Sequence, residues 1–192
     1  MGSSIGGGTK SLTLEGALSN KGVVKMKQVT LQGNPMNVVD TTPVVGHIAP
    51  DFCLTSSDFL DISLSNFFGK YLILNIFPSI DTPVCAASVK RFNEEVSKLD
   101  DTQVLCVSAD LPFASERFCE VEGIEDVQHA STFRSAGFAE AYGVAISEGA
   151  LKGLTARAVV CMNKEGIVTH CELVEEITEE PNYDAAIYSI GH

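Results

Sequence analysis

The sequence predicts an α/β fold with a mixed central sheet, flanking helices and an N-terminal β-hairpin. Three observations predict it. Tyr71-Leu-Ile-Leu-Asn-Ile-Phe77 and Gln103-Val-Leu-Cys-Val-Ser108 are almost wholly apolar and partly β-branched, as strands buried on both faces of a parallel-type sheet are. Between them, Cys85, Val89, Phe92, Val96 and Leu99 recur at alternating spacings of four and three, which makes one apolar stripe of a helix from Pro83 to about Leu99. Strand, helix and strand then form a right-handed βαβ unit.

The other elements follow in order. Residues 29–31 and 36–39 flank the turn formers Gly33-Asn-Pro35 and read as a hairpin. Residues 43–58, with Gly46, Pro50 and Asp51, read as loop. Residues 63–68 suggest a short helical turn stopped by Gly69. A second helix is expected over 112–121, stopped by Gly123, then a short strand over 127–130 and a helical turn over 138–142. Residues 157–162 and 167–173 flank Asn163-Lys-Glu-Gly166, a hairpin whose turn Gly166 closes. Residues 183–190 read as a C-terminal helix. This order is the layout of a thioredoxin-like fold. Residues 25–192 are expected to form one domain, and the Gly- and Ser-rich residues 1–24 a flexible leader.

Composition narrows the function. Hydrophobic residues make up 45% and charged residues 20% of the 192-residue chain, as in globular proteins. A formal charge of −12 repels phosphate, which argues against nucleic acid and anionic membrane as partners. No apolar stretch approaches the roughly 18 residues of a membrane span, and the N-terminus lacks the apolar run of a signal peptide. A cytoplasmic location is therefore expected. The cysteines are Cys53, Cys85, Cys106, Cys119, Cys161 and Cys171, with no Cys-x-x-Cys pair. That spacing disfavours a thioredoxin-type redox pair and a common zinc site. His47, His129, His170 and His192 are scattered, so a metal cluster is not expected. Cys53, Cys106, Cys161 and Cys171 read as packing residues.

Cys85 is different because of where the helix begins. Thr82 suits an N-cap and Pro83 the first helical position. Cys85 then falls in the first turn, among amides without intrahelical partners, where the helix dipole favours a thiolate. The apolar stripe puts it at the buried end, on a pocket floor. A cysteine merely packed beneath the first turn satisfies the same pattern, so both readings stay open on these grounds. Asn93 and Glu94 are expected on the solvated face of this helix.

Residues 74–93, with Pro78-Ser-Ile-Asp-Thr-Pro-Val-Cys85 at their centre, resemble the active-site segment of the thiol peroxidases. These are the bacterial branch of the peroxiredoxins usually described as atypical two-cysteine enzymes. Similar stretches are Pro50-Asp-Phe52, Ser108-Ala-Asp-Leu-Pro-Phe-Ala114 with Arg117-Phe-Cys119, and Leu154-Thr-Ala-Arg-Ala-Val159 with Glu172-Leu-Val174. The resemblance spans about residues 27–190. It implies a peroxidatic Cys85, a Thr82 that hydrogen-bonds the thiolate and orients the peroxide, and an Arg157 that holds positive charge beside the sulfur. It also implies that Cys119 resolves the sulfenic acid of Cys85 as an intramolecular Cys85–Cys119 disulfide. The implied substrates are hydrogen peroxide and organic hydroperoxides, with no metal, haem or flavin cofactor; the implied reductant is thioredoxin, and the implied assembly is a homodimer. Bridging two helices needs Cα atoms within about 7 Å, so one or both helix ends are expected to unwind. Other readings are a thiol-based redox sensor relaying oxidation to a partner protein, and a binding module without turnover. A cysteine hydrolase would need a histidine base near Cys85, and the sequence places none beside it.

Overall fold

Tyr71–Ile76 (β5) lies within a seven-stranded sheet, where its run, apolar but for Asn75, is covered on both sides. The computed structural model describes residues 25–135 and 137–191, so the expected leader at 1–24 lies outside the described residues. In chain order the strands are β1 (Met26–Leu31), β2 (Asn34–Val39), β3 (Cys53–Ser56), β4 (Asp61–Ser63), β5, β6 (Thr102–Ser108), β7 (Gln128–Ser131), β8 (Ala158–Met162) and β9 (Val168–Leu173). The helices are α1 (Pro83–Val96), α2 (Pro112–Glu122), α3 (Phe138–Ala141) and α4 (Tyr183–Gly191), with a 3₁₀ turn over Leu64–Phe67.

The sheet order is β4-β3-β7-β6-β5-β8-β9. β6 runs parallel to β5 and β7, and the other pairings are antiparallel. This is the mixed sheet and thioredoxin-like layout expected. β1 and β2 form the expected N-terminal hairpin as a separate two-stranded sheet.

Strand alternation assigns each residue of β5 to one of two cores. Leu72, Leu74 and Ile76 join Phe52, Leu64, Phe138 and Tyr142 with the hairpin residues Met36 and Val38. Ile73 and Phe77 face the other way, beneath Val89 and Phe92 of α1, Phe118 of α2 and Ala186 of α4. The predicted α1 stripe is buried at Cys85, Val89, Phe92 and Val96. α1 itself ends at Val96, three residues early, and Leu99 follows in a turn that still packs on the stripe. Gly123 caps α2 at φ +66, and its N–H donates to the Cys119 carbonyl. A left-handed residue there satisfies a carbonyl that the helix leaves open.

Cys53, expected to be a packing residue, is exposed at the start of β3, and two further expectations fail. The loop predicted over 43–58 contains β3, which pairs with β4 and β7. Its four residues are too few to show a period, and Pro50 and Asp51 just before them read as loop punctuation. Asn93 is half-buried rather than solvated, because its Oδ1 accepts the Glu125 and Asp126 amides at 3.2 and 2.8 Å. Glu94 is exposed as expected. Among the described residues no helix is long and apolar enough to cross a membrane.

Candidate active site

The chain leaves β5 at Ile76, turns through residues 77–82 and enters α1 at Pro83. Thr82 is the N-cap, in extended conformation, with Pro83 just inside the helix. The first intrahelical bond runs from the Ala86 amide to the Thr82 carbonyl at 3.0 Å. The amides of Val84 and Cys85 come before it and have no partner within the helix. Cys85 sits among them, fully buried. Its carbonyl accepts Ser88 Oγ at 2.8 Å, and Ser88 Oγ in turn accepts Asn75 Nδ2 at 3.1 Å. A polar rail inside the core thus holds the first turn of α1 to β5.

Arg157 immediately precedes β8, the strand beside β5. Its side chain is 1% exposed. Nη2 donates to Cys85 Sγ at 3.2 Å and Nε to the Ile177 carbonyl at 3.0 Å. Nη1 has no hydrogen-bond partner among the described residues. Burying a cation costs several kcal/mol unless a charge balances it. No carboxylate pairs with Arg157 among the described residues, so the group placed to balance it is the Cys85 sulfur. Thr155, two residues earlier, donates from Oγ1 to the Phe77 carbonyl at 2.7 Å and ties the β8 entry to the loop before α1.

Thr82 stands where the sequence puts it, but its hydroxyl is committed elsewhere. Oγ1 donates to the Ser79 carbonyl at 3.2 Å and makes no capping bond. Cys119 lies on α2, half-buried, and packs at the edge of the core that holds Cys85. Burial pushes its thiol pKa up. It lines a groove of about 780 Å³ with Glu116, Ile124, Val127 and His129. Its neighbours Arg117 and Phe118 line a smaller groove with Thr82 and Pro83. Both cysteines are free thiols. The structure therefore brings Arg157 onto Cys85 directly, while Thr82 and Cys119 lie on the flanking helix start and helix.

Sequence reasoning missed Asp110. Its carboxylate accepts Ser79 Oγ at 2.8 Å, the Ile80 amide at 2.7 Å and Ser108 Oγ at 2.8 Å. It fixes the loop before α1 from the end of β6, just ahead of α2. The only sequence signal was its position in a family-like stretch, because its partners on the loop are about thirty residues away.

The chain matches the Redoxin family model over residues 44–187. It is 52% identical over 166 residues to the thiol peroxidases of Mycobacterium tuberculosis and Mycobacterium bovis, covering 86% of this chain and 99% of each relative. A peroxiredoxin-like protein from Aquifex aeolicus superposes with a TM-score of 0.77 at 43% identity, over 85% of this chain and 95% of that one. A thiol peroxidase from Chromobacterium violaceum superposes with the same TM-score at 21% identity, covering 82% and 91%, which speaks to the fold alone.

Proposed function

The chain belongs to the redoxin family, within its thiol peroxidase branch, and from that premise we propose that Cys85 reduces hydrogen peroxide and organic hydroperoxides with Cys119 as its resolving partner. The observation that carries this is the guanidinium of Arg157 at 3.2 Å from Cys85 Sγ, with both side chains buried. The Cys85 thiolate attacks the terminal oxygen of R–O–O–H. The S–O bond forms, the O–O bond breaks, and RO⁻ leaves, taking from solvent the proton that the thiol gave up on ionising and so becoming alcohol or water. Arg157 Nη1, without a hydrogen-bond partner among the described residues, would donate to the oxygen that gains charge. A fixed donor helps most where charge develops.

The product at Cys85 is a sulfenic acid. Cys119 Sγ–H condenses with it, forming a disulfide and releasing water. A dithiol reductant then returns two electrons and becomes a disulfide itself. In our proposal that reductant is thioredoxin, the protein works as a cytoplasmic homodimer, and residues 25–192 act as one domain. Thr82 would turn its hydroxyl from Ser79 towards the sulfur or the peroxide. Because Cys119 lies on a separate helix, the disulfide form would unwind one or both helix ends.

The test follows peroxide consumption with thioredoxin and its reductase for wild type, Cys85→Ser and Cys119→Ser, with mapping of the oxidised disulfide. Loss of turnover is expected in both variants, with sulfenic acid trapped in Cys119→Ser. Full turnover in Cys85→Ser would refute the central claim, and full turnover in Cys119→Ser would refute the resolving role. Hydrogen exchange over 80–90 and 112–122 should speed up in the oxidised form. Sedimentation velocity should show a dimer.

A further inference from the structure

The N-terminal hairpin stands outside the seven-stranded sheet, yet two steps link it to the guanidinium beside Cys85. Glu176 lies between β9 and α4. Its carboxylate accepts Thr30 Oγ1 at 2.8 Å and the Gln32 and Gly33 amides at 3.0 Å each, all from the hairpin. It also accepts the Thr178 amide at 3.1 Å and Thr178 Oγ1 at 2.7 Å. These donors, the Gly33 amide above all, hold the carboxyl well below the usual carboxylate range. Backbone bonds run alongside, from the Thr30 amide to the Glu175 carbonyl at 2.7 Å and from the Ile177 amide to the Thr30 carbonyl at 2.9 Å.

Ile177, the next residue, is buried, and its carbonyl is the acceptor for Arg157 Nε. Among the described residues this carbonyl is the guanidinium's one hydrogen-bonded anchor apart from the sulfur itself. A shift of the Ile177 peptide would carry the guanidinium with it. Contacts to a buried charge change steeply with distance in a low-dielectric site.

We propose that Glu176 is a positioning residue: by clamping the hairpin turn to residues 176–178 it fixes the Ile177 carbonyl, and through it holds Arg157 against Cys85. The hairpin is thereby part of the active-site support. This deepens the reading of Cys85 and Arg157 as the reacting pair and rests on it.

The experiment compares wild type, Glu176→Gln and Glu176→Ala. The first readout is the pH profile of the 240-nm thiolate absorbance that Cys85→Ser removes. The second is kcat/KM for hydrogen peroxide, and the third is the thermal midpoint. Glu176→Ala should change the thiolate profile and lower kcat/KM about tenfold, the order expected for a misplaced charge. Glu176→Gln keeps one carbonyl acceptor and should fall between. A lower thermal midpoint with an unchanged thiolate profile and unchanged kcat/KM would overturn the proposal and leave Glu176 as a fold staple only. If Glu176→Ala does not fold, Glu176→Gln and Thr30→Val decide it, with a two- to threefold loss of kcat/KM expected and no change overturning it. A wild type that consumes no peroxide would defeat the peroxidase reading, while the thiolate profile would still decide the role of Glu176.

Discussion

Cys85 and Cys161 lie in the same core on the same side of the sheet, and both are wholly buried. Cys161 is four residues beyond Arg157 along β8. Its Sγ donates to the Ala186 carbonyl at 3.5 Å, and burial pushes its pKa up to about 12. Cys106 behaves likewise, pushed up to about 12 by burial, with Asn75 Nδ2 as its weak partner at 3.7 Å. Among the described residues neither has a hydrogen bond to a cationic side chain. Cys85 differs by two additions, the open amides of the first turn of α1 and the Arg157 guanidinium at 3.2 Å. Burial is common to all three, so burial does not set Cys85 apart. What sets it apart is a fixed positive charge in contact with the sulfur inside a dry site, the setting on which our proposal for Cys85 rests.

The sharpest way to break this comparison is Arg157→Met, which leaves Cys85 buried but without its cation. Stopped-flow kinetics should show peroxide reactivity about 10²–10³-fold lower, the usual cost of removing one donor to developing charge. Urea unfolding of the same variant should show a loss of about 1–3 kcal/mol, because the buried Ile177 carbonyl is left without its donor, so reactivity is compared under conditions where the variant is folded. Retained reactivity would mean that the helix start alone sustains the thiolate.

Desolvation can be isolated on a group of opposite charge type. His129 is buried, with Nε2 unpartnered among the described residues. Burial pulls its pKa from 6.5 down to about 4, against a smaller upward pull from Asp110. Between those values the unfolded chain binds a proton that the folded chain refuses. Stability from this group is therefore complete above about pH 6.5 and drains away as pH falls to about 4, by up to about 3 kcal/mol. Urea unfolding from pH 7 to pH 4 should show that loss, and His129→Gln should flatten it. The smallest effect is expected from Cys161→Ala and Cys106→Ala. Each should cost about 1 kcal/mol of stability from the lost sulfur packing and leave peroxide turnover unchanged.

The parts legible in the sequence were those whose determinants are local. The apolar runs of β5 and β6 and the stripe on α1 carry their own period, and Thr82-Pro83 marks the helix start two residues before Cys85. Arg157 was legible through family resemblance; its contact with a sulfur 72 positions away has no local signature. β3 and β4 escaped because strands of four and three residues are assigned by their neighbours across the sheet. Glu176 and Asp110 escaped for a related reason. Each is an ordinary acidic residue until the fold delivers distant donors to it, and for Glu176 those on the hairpin lie more than 140 positions away.

Asp110 has one further consequence. Its carboxylate grips Ser79 and Ile80 ahead of α1, while its own backbone leads directly into α2. The roots of the two cysteine-bearing helices are therefore riveted at a single point. A substitution that removes this carboxylate would release the segment ahead of α1 at the same point from which α2 starts.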